Sequence, residues 1–345
     1  MNFRSDNEAP VAPEILDAVA AVNQGFVHAY GEDQLTADLE QKFSEVFATD
    51  VLVWPLATGT AANSLAMAQI CEPFGSIYCH AHAHMNTDEC GAPEFFTGGA
   101  KLAGLNGDHG KLQPEDLASA LDETGYLDDH EVLPSGLSLS QATEFGTVYT
   151  PDEVKSLCEV ARGHNLKVHM DGARFANAVQ SLGVAPADIT WKAGIDLMSF
   201  GATKNGAMMA EALLVFDSSL AVQLGRKRKR AGHLLSKMRY VSAQLDACLC
   251  DDRWLAWAGN ANKQATRLSV GLADLPGIEL LHPVQANEVF VRMSEKISGG
   301  LYKAGFQFHL WPGTQDIFRL VCTWCTKDED VDSLLNKASQ LAAVS

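Results

Sequence analysis

A large, mainly parallel, doubly wound α/β sheet followed by a small α+β unit is the fold class this chain predicts, and three observations predict it. Short apolar strands alternate with helical stretches from about residue 35 to 205, the order that buries a parallel sheet between helical layers. Two of those strands, in Val168-His169-Met170-Asp171-Gly172-Ala173-Arg174 and Asp196-Leu197-Met198-Ser199-Phe200-Gly201-Ala202-Thr203-Lys204-Asn205, each deliver a charged residue just past their end. Ligand sites of doubly wound sheets lie beyond the carboxyl ends of the strands. Past about residue 250 the pattern changes to that of a small α+β unit.

The elements follow in order. Leu35, Leu39, Phe43, Val46 and Phe47 recur at the spacing of one helical face, with Thr36 near the start as a possible cap. Residues 51–56 read as a strand. Ala57-Thr58-Gly59-Thr60 then turns into the strongly helical run 61–68. Such a turn aims free backbone N–H groups and hydroxyls at whatever lies before the helix, and a phosphate fits there. Thr150-Pro151-Asp152-Glu153 opens another helix with a threonine cap, proline in the first turn and glutamate at the reciprocal capping position. Val154, Leu157, Cys158 and Ala161 mark its buried stripe, and Gly163 stops it. Residues 166–170 form the strand that carries Asp171, a helical stretch starts at Phe175, and residues 195–200 form the strand that precedes Lys204. The phosphate turn, the aspartate and the lysine therefore share one sheet edge. In the C-terminal part, 277–281, 288–293, 306–311 and 316–324 read as strands, and 294–304 and 328–343 as helices.

Composition bounds the classes. The chain has 345 residues, 47% apolar and 20% charged, which suits an ordinary globular protein with one large core and a smaller partner. A net charge of −17 argues against nucleic acid, whose binding needs a basic face. Arg226-Lys227-Arg228-Lys229-Arg230 dissents. It reads as a helix surface or anion-facing patch, with a cofactor phosphate or a subunit contact as a middle reading and nucleic-acid binding as the rival one. No apolar run approaches the roughly 18 to 20 residues a membrane span needs, and the start lacks a secretion signal, so the chain reads as cytosolic, with its eight cysteines reduced. Cys322-Thr-Trp-Cys325 and Cys248-Leu-Cys250 have metal spacing, but the former lies in an apolar run where thiols act as small hydrophobes. His80-Ala-His82-Ala-His84 would put three imidazoles on one face of a strand, with no carboxylate or thiolate spaced to complete a set. No metal is expected.

A carboxylate and a lysine placed as Asp171 and Lys204 are can hold pyridoxal phosphate. The lysine would join the cofactor aldehyde, and the carboxylate would keep the pyridine nitrogen protonated so that the ring accepts electrons. Alone, a lysine after a strand is ordinarily a solvated charge and an aspartate there a turn or cap residue. Their occurrence together with Thr58-Gly59-Thr60 makes the reading specific. Arg319, in an apolar strand, needs an anionic partner, and a substrate carboxylate would be one.

Ala57-Thr58-Gly59-Thr60-Ala61-Ala62-Asn63, His169-Met170-Asp171-Gly172-Ala173-Arg174 and Ser199-Phe200-Gly201-Ala202-Thr203-Lys204-Asn205, in that order and spacing, resemble the low-specificity L-threonine aldolases, of the beta-eliminating lyase and threonine aldolase family. The similarity runs from Phe3-Arg4-Ser5-Asp6 to Phe318-Arg319-Leu320-Val321. It implies the aspartate-aminotransferase-like fold (fold type I) of pyridoxal-phosphate enzymes: an N-terminal segment 1–15, a large domain 16–245 and a small domain 246–345. It implies a homodimer or homotetramer with shared active sites and an amino acid as the small-molecule substrate. Carried over residue by residue, Lys204 would bear the cofactor, Asp171 would pair with its ring nitrogen, Gly59 and Thr60 would bind its phosphate, and His84 would stack on its ring. Ser5, Arg174 and Arg319 would hold the substrate carboxylate, with Arg174 also near the cofactor's phenolic oxygen. Tyr30 and Arg239 would enter from the neighbouring subunit. Many members of the family have a histidine where this chain has Glu144. A glutamate could take the β-hydroxyl proton in its place, or the base could be His84 or a water it holds. The implied reaction is cleavage of L-threonine or L-allo-threonine to glycine and an aldehyde. Phenylserine cleavage, β-elimination or transamination are its enzymatic rivals, and a catalytically silent scaffold its non-enzymatic one.

Overall fold

In the computed structural model, which describes residues 1–124 and 129–343, the alternating part forms a seven-stranded sheet. Its strands are β1 (Leu52–Leu56), β2 (Gly75–His80), β3 (Lys101–Leu105), β4 (Leu133–Ser140), β5 (Lys167–Gly172), β6 (Leu197–Gly201) and β7 (Glu211–Val215), in the order β1-β7-β6-β5-β4-β2-β3. β7 runs antiparallel between β1 and β6, and the remaining pairs are parallel. Every residue of β2, β6 and β7 is buried, as expected for strands covered by helices on both faces. On one face Met198 and Phe200 pack with Phe43, Phe47, Phe175 and Trp254. On the other, Leu197 and Leu213 pack with Leu65, Ala66 and Met67 of the helix Gly59–Ile70.

The second sheet is antiparallel, β8 (Ile278–Leu280), β9 (Glu288–Met293), β10 (His309–Leu310) and β11 (Ile317–Val321), in the order β10-β11-β9-β8. The helix Arg253–Ala273 joins the two cores, with Trp254 and Ala258 in the first and Ala265, Leu268 and Leu272 in the second. The chain start belongs to the second core through Phe3, whose N–H donates to the Gln307 carbonyl (2.7 Å) and whose carbonyl accepts from the Val321 N–H (2.8 Å).

Several expectations are corrected. The helix Gln34–Phe47 is capped by Asp33, whose carboxylate accepts from the Thr36 N–H, and Thr36 lies inside the first turn. The expected strand at 306–311 shrinks to β10 because the chain start takes its first pairing positions, Asn2 bridging Gln307. The three alternate histidines do not share a strand: β2 ends at His80, and His84 begins the helix His84–Thr87. The basic run is itself helical, Leu224–Arg230, and not all surface. Arg228 is buried over the Trp54 ring and donates to the His233 carbonyl, and burial pushes its guanidinium down to about 10. Lys227 donates to the Ala68 carbonyl. Cys322 is buried, and burial pushes its thiol up. Among the described residues no group of three histidine, cysteine or acidic side chains converges on a metal position, and no helix is long and apolar enough to cross a membrane.

Candidate active site

Three local structures meet at the carboxyl edge of the large sheet. The first is the start of the helix Gly59–Ile70, where the Thr58 hydroxyl accepts from the Ala61 N–H. Gly59 and Thr60 occupy the first turn, whose N–H groups have no acceptor inside the helix and which carries the positive end of its dipole. The second is β5, in which Asp171 is the penultimate residue. The third is the short turn Thr203–Asn205 after β6, which carries Lys204. At Gly201 a Cβ would lie 2.6 Å from the Ala173 carbonyl oxygen, so the two strand ends meet only because that side chain is missing. The Lys204 charge acts on Asp6 and His84, and Asp171 acts on His84 and Glu144, which places these groups in one field.

Asp171 is held by partners that the sequence did not single out. Its Oδ2 accepts from Asn63 Nδ2 (2.8 Å) and its Oδ1 from the Ala173 N–H (3.0 Å). The same Asn63 nitrogen donates to Glu89 Oε1 (2.7 Å), and that oxygen lies 2.9 Å from His84 Nδ1. Asn63 is oriented from behind: Ser199 donates to its Oδ1 (2.7 Å), His169 Nε2 lies 3.1 Å from Ser199 Oγ, and Ser138 Oγ lies 2.9 Å from His169 Nδ1. Since the Ser199 proton is spent on Asn63, His169 must donate from Nε2 and accept from Ser138 at Nδ1. Burial pushes the His169 imidazolium down to about 4, so the ring is neutral and its tautomer set. The carboxylate of Glu89, hydrogen-bonded to His84, raises the pKa of that imidazole above its ordinary value.

Glu144 lies beside His84. Its Oε1 accepts from the His84 N–H (2.8 Å) and the Ser140 hydroxyl (2.6 Å), and its Oε2 is buried without a partner. Burial pushes the carboxyl up to about 7 against those two donors. It can therefore exchange a proton near neutrality.

The arginines form a second cluster. Arg174 Nε and Nη2 grip Asp6 at 2.7 and 3.0 Å, and Nη2 lies 3.4 Å from Glu288 Oε1. Burial pushes the Asp6 carboxyl up, but Arg174 and Lys204 more than offset it and hold it below the usual range. Arg319 Nη1 reaches the same Glu288 oxygen at 3.3 Å, and its Nε is buried without a partner. Ser5 caps the turn Asp6–Glu8, accepting from the Asn7 N–H, next to Asp6. Tyr30 and Arg239 make their contacts elsewhere. Tyr30 lies half exposed beneath the Lys229 ammonium, 4.8 Å from its ring centroid, and Arg239 Nη1 donates to the Gln24 and Gly25 carbonyls.

The sequence profile of the beta-eliminating lyase family matches residues 2–296. The low-specificity L-threonine aldolase of a Pseudomonas species is 43% identical over 332 residues, 96% of this chain and 95% of that protein. The chain belongs to the beta-eliminating lyase and threonine aldolase family. The low-specificity L-threonine aldolase of Pseudomonas aeruginosa is 44% identical over the same shares of each chain. The solved structure of the Leishmania major threonine aldolase superposes with a TM-score of 0.92 at 28% identity, covering 99% of each chain. Enzymes of this family are lyases that depend on pyridoxal phosphate. The residues present fit that group. A helix start suited to a phosphate, a carboxylate fixed at both oxygens and a lysine after a strand stand on one edge. Beside them four buried polar atoms, Glu89 Oε2, Glu144 Oε2, Glu288 Oε2 and Arg319 Nε, have no protein partner.

Proposed function

We propose that this chain cleaves L-threonine and related β-hydroxy-α-amino acids to glycine and an aldehyde. The observation that carries the reading is Glu144: a buried carboxyl near pH 7 with one free oxygen, set against His84 in the field of Asp171. Lys204, Asp171, Gly59 and Thr60 would hold pyridoxal phosphate, which would supply an electron sink for bond cleavage at the substrate Cα. The protein's own groups do the rest. Arg319 and Ser5 orient the substrate carboxylate, with Arg174 supporting them through Asp6 and Glu288, and this orientation selects the Cα–Cβ bond for cleavage. Glu144 accepts the β-hydroxyl proton and later returns a proton, and His84 would stack on the ring of the bound cofactor. His84 or a water it holds is the competing base.

Phe26 is fully exposed, on the loop that also carries Tyr30 and that Arg239 holds at the Gln24 and Gly25 carbonyls. That supports a homodimer or homotetramer in which Tyr30 and Arg239 serve the neighbouring site. We place the division between large and small units near residue 245, ahead of the helix that joins the cores, and the protein in the cytoplasm.

The test is product analysis with the cofactor-loaded protein and L-threonine. Equal yields of acetaldehyde and glycine support the proposal. Absence of aldehyde overturns it in favour of another β-hydroxy amino acid, such as phenylserine, or of elimination or transamination chemistry.

A further inference from the structure

Glu288 is the first residue of β9 and faces Val321 of β11, while Arg319 faces Phe290. The two charged residues therefore sit on one face of the small sheet at the diagonal spacing that long side chains span. The Glu288 side chain has no solvent exposure. Room for it comes from Gly146, at φ +73°, where a Cβ would stand 3.0 Å from the Cβ of Glu288. Its Oε1 is shared by Arg319 Nη1 at 3.3 Å and Arg174 Nη2 at 3.4 Å. Arg174 already spends Nε and Nη2 on Asp6. Arg319 differs, because its Nε is buried with no acceptor. A buried donor left unpaired is costly and points to an acceptor that arrives with a ligand.

We propose that Glu288 is a positioning residue for substrate recognition: by holding Arg319 through Nη1, it presents the Nε–Nη2 edge of that guanidinium as a fork for the substrate carboxylate. The inference rests on the reading of this site as an amino-acid site. A guanidinium has two bidentate edges, and occupying one nitrogen from behind selects which edge faces the ligand. It also freezes a long side chain before binding, so the ordering cost is not met again with each substrate. The negative charge of Glu288 opposes an incoming carboxylate. Held on the far side of the guanidinium it acts mainly as a hydrogen-bond anchor, and a neutral amide of the same shape should do the same work.

The experiment compares wild-type holoenzyme with Glu288→Gln and Glu288→Ala. Glycine binding is read from the change in absorbance of the bound cofactor, and 1-amino-2-propanol, which is threonine without its carboxylate, serves as the control. Glu288→Ala should weaken glycine by about ten-fold, the ordering cost of one long side chain. Glu288→Gln should stay within about two-fold of wild type or bind tighter, since it keeps the anchor without the charge. The amino alcohol should be indifferent to both changes. In turnover of L-threonine the alanine variant should raise KM more than it lowers kcat. If the alanine variant does not fold, Glu288→Met, apolar and of similar volume, takes its place. Glycine bound as tightly by Glu288→Ala as by wild type, or equal losses for glycine and the amino alcohol, would overturn the role. Glycine binding needs no turnover, so absence of threonine cleavage leaves this result standing. A wild-type protein that ignores glycine sinks the amino-acid reading first.

Discussion

The side of the site built on the large sheet and the side where the small sheet meets the chain start and the segment after β5 solve the burial of polar groups differently. On the first, Ser138, His169, Ser199 and Asn63 form a neutral chain of hydrogen bonds 2.7 to 3.1 Å long that ends on two carboxylates, Asp171 and Glu89. Each donor has its acceptor before any ligand arrives. On the second, Asp6, Arg174, Glu288 and Arg319 form a chain of charges with contacts of 2.7 to 3.4 Å and a free donor at its end. The difference teaches on which side the protein satisfies every donor and on which it leaves one for a ligand. A neutral relay suits a group that stays in place, because it sets polarity without titrating. A chain of charges with one open edge suits an anion that comes and goes.

The comparison breaks hardest at Lys204. Lys204→Ala should abolish both turnover and the visible absorption of the bound cofactor while leaving the two chains intact. Reduction by borohydride that fixes the cofactor to a different lysine would refute the assignment.

Glu144→Gln comes next, with an expected fall in kcat of about 10²–10⁴-fold, the usual worth of a general base. Wild-type activity should rise with pH as the carboxyl ionises through about 7, and the glutamine variant should lose that limb. Stability should move the other way. The folded carboxyl binds its proton more tightly than the unfolded one, from 4.5 up to about 7, so stability is greatest below 4.5, falls as pH rises to 7 and levels off above. The drop is about 3 kcal/mol at most. Unfolding of Glu144→Gln measured between pH 4.5 and 7 should lack it, and an unchanged slope would remove Glu144 as its source.

Asn63→Leu sharpens the contrast itself. It strips a donor from each of two buried carboxylates and should cost about 1–3 kcal/mol in denaturant unfolding, with the pH titration of His84 by NMR shifted upward as its hydrogen bond to Glu89 strengthens. An unmoved His84 titration in a folded variant would disconnect the relay from the imidazole. The smallest effect belongs outside both chains: Thr150→Ala removes a capping box, with Thr150 Oγ1 accepting from the Glu153 N–H and Glu153 from the Thr150 N–H. It should cost about 1 kcal/mol of stability and nothing in turnover.

What could be read from the chain alone was what depends on near neighbours. The strand-helix alternation, the Thr58 turn, the Thr150 cap and the placement of Asp171 and Lys204 at strand ends follow from periodicity and local hydrogen bonding, and all appear in the fold. Glu144 stood out only through a family resemblance. Tertiary structure decided the rest. Asn63 looked like one more residue of an alanine-rich helix, until packing of that helix on β5 and β6 set its amide between Asp171, Glu89 and Ser199. Asp33 displaced Thr36 as a cap because the helix already starts at Gln34, one residue ahead of the apolar stripe that begins at Leu35. Arg228 lay in what reads as a solvated run, yet one turn of helix against Trp54 buries it. Asp6, Arg174, Glu288 and Arg319 come from four distant stretches, and no spacing rule connects them. Local sequence specifies backbone states and the faces they present, whereas the pairing of buried charges depends on which faces meet, and that is settled only when the two sheets and the chain start pack together.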